Sequence, residues 1–161
     1  MRIARTCADL NIETVAVYAQ DDSASKHLRV ATVPAPLDQS GVAAYLNADA
    51  LVSTALANGC DSVHPGWGFL SENSEFSRAC ELAGLTFIGP PPEQLQQFSD
   101  KLLSRALAAQ CDVPVTSGGE RLAGARALEA VQAKLKSDQS LMVKATAGGG
   151  GRGMALLGKT D

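Results

Sequence analysis

Aromatic rings and any surplus of positive charge are scarce in this sequence. Only 4% of its 161 residues are Phe, Trp or Tyr, too few for the stacking platforms that hold single-stranded nucleic acids. Basic and acidic residues number 14 and 17, for a formal net charge of −3. With no basic stripe, nucleic acid is not an expected partner. The cysteines, Cys7, Cys60, Cys80 and Cys111, lie far apart without a C-x-x-C pair, so there is no zinc signature. They read as reduced, mostly buried thiols of a cytoplasmic protein. No apolar run approaches the roughly 20 residues that span a bilayer. The N-terminus opens on a helical pattern rather than a signal peptide, so no membrane association is expected. There is no repeat. The 45% hydrophobic share is ordinary for a globular chain, and the length allows one large domain or one domain plus part of a second.

What the sequence does have is glycine in one place. Gly148-Gly149-Gly150-Gly151 is preceded by Lys144-Ala145-Thr146-Ala147 and followed by Arg152-Gly153-Met154. Without Cβ atoms, such a backbone can turn its amides inward and approach an anion closely. Lys144 and Arg152 bracket the run with positive charge. Leu141-Met142-Val143 leads in and Met154-Ala155-Leu156-Leu157 leads out, which reads as a nucleotide-phosphate loop between two strands. A Walker A loop has its lysine after the glycines and is followed by a helix; here the lysine comes first. Gly148, Gly150 and Gly153 match the dinucleotide fingerprint G-x-G-x-x-G, but that motif also needs a helix after it. A hairpin loop that closes over ATP, as in ATP-grasp enzymes, suits the strand flanks and the lysine that ends the first strand. A ligand-free linker would favour serine among the glycines and would need no bracketing cations.

The rest of the chain alternates helices and strands. Ile3, Cys7 and Leu10 predict an opening helix. Thr14 to Tyr18 predicts a buried strand. A helix over Ala50 to Asn58 closes at Gly59, and another over Ser74 to Ala83 closes at Gly84. Asp61 to His64 and Leu85 to Ile88 are further strands. The pattern up to about Ile88 predicts an α/β fold with a doubly wound parallel sheet, Rossmann-like. Pro90-Pro91-Pro92 marks a boundary and gives two domains, 1–91 and 92–161. Helices follow from Pro92 to Phe98, from a cap at Ser99 or Asp100 through Gln110, and from Ala123 to Leu135.

A second unusual stretch is His64-Pro65-Gly66-Trp67-Gly68-Phe69-Leu70-Ser71-Glu72-Asn73, where a strand ends and a helix begins. Ligands of open α/β sheets bind beyond such strand ends. For His64 a hydrogen bond that pins the turn is favoured over catalysis. Trp67 suits packing or a substrate wall. Glu72 suits a helix-start carboxylate or a functional one. Ser71 or Asn73 can cap the following helix.

Taken in order, H-P-G-W-G-F-L-S-E-N, F-I-G-P, D-K, V-P-V and V-K-A-T-A-G-G-G-G-R-G-M resemble biotin carboxylase along essentially the whole chain. That is the ATP-grasp component of acetyl-CoA, propionyl-CoA, pyruvate and urea carboxylases. The resemblance implies a reaction in which ATP, with Mg²⁺, phosphorylates bicarbonate and the carboxyl group passes to biotin on a carrier domain. A carboxyltransferase is the further partner. Carried over by resemblance, Lys101 and Lys144 bind the nucleotide phosphates from two sides. Gly148, Gly149, Gly150, Gly151 and Gly153 form the lid, and Met154 packs on adenine. Trp67, where most relatives have tyrosine, and Glu72 lie on the biotin side. Arg5 and Asp9 match positions of the family's homodimer interface.

The chain also departs from the family pattern. Members begin with a strand and an N-R-G-E turn before the opening helix, whereas this chain starts within that helix. The resemblance puts that strand in the middle of the sheet, so unpaired backbone groups in the core are expected. The family's A-D-E stretch is absent around His27 to Pro36, where the chain is shortened. The family's adenine hinge, Mg²⁺-binding glutamates, bicarbonate arginine and catalytic base fall beyond the glycine hairpin. No catalytic or metal-binding residue is therefore assigned, and the chain is read as an N-terminal fragment that does not carboxylate biotin alone. The competing readings are a carbamoyl-phosphate-synthase-type ATP-grasp ligase, a non-catalytic assembly module and, weakest, a Rossmann oxidoreductase.

Overall fold

The computed structural model describes residues 1–118, 121–133, 135, 139–145 and 153–158. It divides into two compact units, Met1–Gln96 and Gln97–Asp161.

In the first unit the chain opens on α1 (Arg2–Asp9) and enters β1 (Val15–Tyr18). It returns through β2 (Val33–Pro36), α2 (Val42–Tyr45) and α3 (Ala48–Ala57) to β3 (Ser62–Val63). It closes with α4 (Ser74–Leu82) and β4 (Thr86–Phe87), before α5 (Pro92–Ser99). β1 pairs with β2 and β3 with β4, both parallel, as the alternation of strands and helices predicts. Asn47 caps α3 by accepting from the Ala50 amide at 3.1 Å. Gly59 (φ 67°) and Gly84 (φ 77°) then end α3 and α4 in the left-handed conformation that glycine adopts without strain.

The core of this unit is Ala55, Leu70, Phe76, Cys80, Leu85, Phe87 and Leu95. Phe76 meets Phe87 edge to face at 5.9 Å and 89°. A smaller cluster of Ala19, Leu37 and Ala44 sits at the end of β1.

Three expectations need correction. β1 is half-buried along its length rather than buried, because its side away from β2 borders a cavity. Of the cysteines only Cys80 is buried; Cys7 and Cys60 are intermediate and Cys111 is exposed. Strand β2 has no counterpart in the sequence reading, because two of its four residues are proline. Its register explains how it forms. Val33 and Leu37 donate to Thr14 and Tyr18 carbonyls at 2.9 and 2.8 Å. Residues along a strand alternate the side to which their N–H points, so Pro34 and Pro36 fall where the missing donor would face away from β1.

In the second unit, α6 (Lys101–Gln110) and α7 (Ala125–Gln132) precede a hairpin of β5 (Ser140–Lys144) and β6 (Met154–Gly158). α7 is shorter at both ends than the predicted Ala123 to Leu135. No helix among the described residues is long and apolar enough to cross a membrane.

Candidate functional site

The hairpin register sets the site. β5 and β6 are antiparallel, with Lys144 opposite Met154, Met142 opposite Leu156 and Leu141 opposite Leu157. Directly opposed residues share a face. One face therefore carries Lys144, Met154, Met142 and Leu156, all exposed; Leu156 is 64% accessible. The other carries Leu141 and Leu157, both half-buried, together with Val143. A cation thus stands at the edge of an open apolar surface, an arrangement that suits a ligand with one charged and one flat apolar part.

The neck of the hairpin demands glycine. Ala145 donates to the Gly153 carbonyl at 2.8 Å. Gly153 has φ 69°, and a Cβ there would stand 2.9 Å from the Ala145 Cβ. A strand rather than a helix follows Gly153, which rules out the dinucleotide-fingerprint reading and with it the Rossmann oxidoreductase. Gly148, Gly149, Gly150, Gly151 and Arg152 lie outside the described residues.

Lys101 is the first residue of α6, and Asp100 is the cap, accepting from the Leu102 and Leu103 amides at 2.7 and 3.2 Å. A lysine in a first helical turn opposes the helix dipole, and here it lies near the Asp100 carboxylate, whose charged form it favours. Arg105, one turn along on the same face, was not found from the sequence. Its guanidinium donates to the Thr116 hydroxyl at 3.1 Å, to the Thr116 carbonyl, and to the Gly118 carbonyl at 3.0 Å. It fixes the loop after α6 against that face. Its spacing of four from Lys101 was the available signal.

Those two amides, more than the neighbouring cations Arg121 and Lys101, hold the Asp100 carboxyl below its ordinary value of 3.8. A depressed carboxylate stabilises the fold above the unfolded value and loses that contribution as pH falls through the folded one. The start of α6 is therefore expected to loosen only below pH 3.8. An NMR titration should show the Leu102 and Leu103 amide shifts moving together with an acidic midpoint. Asp100→Asn, which keeps an accepting oxygen, should remove that titration while keeping the helix.

In the first unit, the loop from His64 to Asn73 is shaped by left-handed residues Gly66 (φ 73°), Gly68 (φ 79°) and Phe69 (φ 46°). Phe69 holds this conformation while stacked on Tyr45, with ring centroids 5.4 Å apart. The His64 Nδ1 accepts from the Gly66 amide at 3.0 Å, the turn-pinning bond favoured above. Asn73, rather than Ser71, caps α4 by accepting from the Phe76 amide at 2.8 Å. Trp67 is 95% accessible and so is no packing residue within the described structure. Glu72, Arg5 and Asp9 are exposed. Among the described residues, no group of three or more His, Cys, Asp or Glu is placed to hold a metal ion.

The family described as biotin carboxylase, N-terminal domain, matches residues 1–95. A biotin carboxylase of Halalkalibacterium halodurans is 42% identical over 158 residues, which is 98% of this chain and 35% of that one. The pyruvate carboxylase of Bacillus subtilis is 43% identical, covering 98% of this chain and 14% of that one. Among solved structures, the biotin carboxylase domain dimer of Hydrogenobacter thermophilus 2-oxoglutarate carboxylase, in complex with MgADP, ADP and bicarbonate, superposes with a TM-score of 0.90. Its identity is 34%, over 98% of this chain and 35% of that one. The Campylobacter jejuni biotin carboxylase–β-γ-ATP complex gives 0.87 at 31% identity, over 98% of this chain and 35% of that one.

Proposed function

The chain belongs to the biotin carboxylase N-terminal domain family, and from that premise we propose that it supplies nucleotide-phosphate contacts in an ATP-dependent biotin carboxylase. In that reaction ATP and bicarbonate carboxylate a biotin held on a carrier domain, for later use by a carboxyltransferase. The observation that carries the reading is the opposition of Lys144 and Met154 across the exposed face of the hairpin. The Lys144 ammonium neutralises phosphate oxygens, and Met154 offers apolar contact to the base. Lys101, set against its helix dipole, is the second cation. Two fixed ammonium groups offset the charge that grows on the phosphoryl oxygens during transfer. In this reading Gly148 to Gly151, with Gly153, serve as the lid over the triphosphate.

The same reading divides the chain at residues 1–91 and 92–161, a Rossmann-like domain and the start of an ATP-grasp domain. It assigns Trp67 and Glu72 to the biotin side, Arg5 and Asp9 to a homodimer contact, and the cytoplasm as the compartment. Mg²⁺ accompanies the nucleotide in such a reaction and would shield its phosphates. Among the described residues, no group of three or more His, Cys, Asp or Glu is placed to hold it.

Titration calorimetry of the purified chain with ATP tests this. Heat of binding is expected, and Lys101→Ala and Lys144→Ala should each weaken it about tenfold, the loss of one charge-assisted contact. Absence of heat with the wild-type chain, or full affinity in both variants, would overturn the reading.

A further inference from the structure

The loop from His64 to Asn73 holds one residue in a conformation that its own side chain disfavours. Gly66, Gly68 and Phe69 are all left-handed, with φ 73°, 79° and 46°. The two glycines adopt that region without strain. A phenylalanine there is an outlier that surrounding structure must impose. Between the glycines, Trp67 is 95% accessible, so no packing of its own fixes where it lies. Its placement is set by the backbone on either side.

On the near side the Gly66 amide donates to His64 Nδ1 at 3.0 Å. On the far side the Ser71 amide donates to the Gly68 carbonyl at 2.9 Å and the Asn73 amide to the Leu70 carbonyl at 3.0 Å. Leu70 is anchored in the core cluster. Phe69, 58% accessible, stacks its ring on Tyr45 with centroids 5.4 Å apart and planes at 24°. Tyr45 is itself held firmly. Its phenol accepts from the Ala19 amide at 3.0 Å and donates to Asp22 at 2.6 Å, and it packs against the cluster of Ala19, Leu37 and Ala44. Tyr45 ends α2, and the start of that helix is tied to the same turn, where the Gly41 amide donates to Asp21 Oδ1 at 2.8 Å. Successive carboxylates therefore hold both ends of α2.

We propose that Tyr45 is a positioning residue for Trp67: its ring holds Phe69 in the left-handed turn and so fixes the backbone from which the loop presents the indole. Tyr45 acts through Phe69 and has no need to touch whatever Trp67 meets. A contact group that is already aimed spares its ligand the entropy of ordering it. Only the identity of that ligand, biotin, rests on the function proposed above; the loop geometry stands apart from it. Tyr45 has two separable parts. Its hydroxyl serves the fold through Ala19, and its ring face serves the loop. Tyr45→Phe removes the first and keeps the second.

Nitrogen relaxation of the backbone amides, read by NMR on the isotope-labelled chain, tests this. The Trp67 amide of the wild type is expected to show an order parameter of about 0.85, that of rigid backbone. In Phe69→Ala, at an exposed position, and in Tyr45→Leu it should drop below about 0.6, the flexible range, while amides of α3 and α4 keep their values. Tyr45→Phe should keep the wild-type order at Trp67 although it lowers the urea midpoint. Order in the loop then follows the ring pair and not stability, which a merely structural Tyr45 would not produce. A wild-type Trp67 amide already in the flexible range overturns the proposal, as does an unchanged order parameter in Phe69→Ala. So does a loss in Tyr45→Phe as large as in Tyr45→Leu. Should Tyr45→Leu not fold, Phe69→Ala and Tyr45→Phe decide. The measurement needs neither ATP nor biotin, so it can fail while the proposed function stands, and the reverse.

Discussion

Phe76→Ala is expected to lower the stability of the first unit by about 3–5 kcal/mol, the range for emptying a buried aromatic site. Phe76 is 2% accessible and sits in the principal core cluster. It is packed edge to face on Phe87, a geometry worth something beyond burial alone. It already borders the cavity between β1 and β3, so truncation would enlarge an existing void rather than create a site that neighbours could close. Against a total of about 5–15 kcal/mol for a typical domain, the loss is severe. At about 4–8 °C per kcal/mol for a unit of this size, the thermal midpoint should fall by tens of degrees. Phe76→Leu, which keeps most of the volume, should cost markedly less. Circular dichroism is the appropriate readout: the single tryptophan, Trp67, is 95% exposed and its emission will report little of core unfolding. A loss from Phe76→Ala no greater than from Phe76→Leu would contradict the packing described.

Tyr45→Phe is the second large effect. The phenol accepts from the amide of Ala19, which is fully buried, at 3.0 Å and donates to Asp22 at 2.6 Å. Removing the oxygen keeps the ring and its stacking on Phe69 but leaves the Ala19 N–H without its acceptor, a cost of about 1–3 kcal/mol. The pair also shapes the pH profile. The bond from Tyr45, followed by that from Ser25, holds the Asp22 carboxyl below its ordinary 3.8. Its contribution is present above 3.8 and lost as pH falls through the folded value. Desolvation, followed by the bond to Asp22, pushes the Tyr45 hydroxyl above its ordinary 10.0. A raised acid favours the protonated fold, so that contribution is present below 10.0 and lost as pH rises through the folded value. Urea melts across pH should show wild-type stability falling at both extremes, and Tyr45→Phe should flatten both limbs while lowering the plateau. A plateau equal to wild type would show that the hydroxyl is not the Ala19 acceptor.

Much of the fold was readable because single residues carried local signals. Gly59 and Gly84 mark helix ends through φ, and Asn73 and Asp100 mark helix starts through side-chain oxygens. The strand after Gly153 was readable from its apolar run, and it decided between glycine-loop types. β2 was not readable. Prolines argue against a strand unless their side of the ladder is known, and register depends on a partner eighteen residues away. The half-burial of β1 was also hidden, since a β-branched run signals a strand and not whether both its edges are covered.

For the candidate site, lysine and glycine positions came from the sequence, but the pairing of Lys144 with Met154 needed the hairpin register. The role of Arg105 depends on a loop folding back eleven to thirteen residues later. The sequence shows the guanidinium but not the carbonyls it serves.

The placement of Pro34 and Pro36 has a consequence for how this polypeptide behaves at high concentration. Rows of amides along a sheet margin invite further chains to stack on, the first step of fibre formation. β2 presents pyrrolidine rings on its outer margin, so stacking halts there. Lateral growth of the β1–β2 pair is thereby blocked on that side.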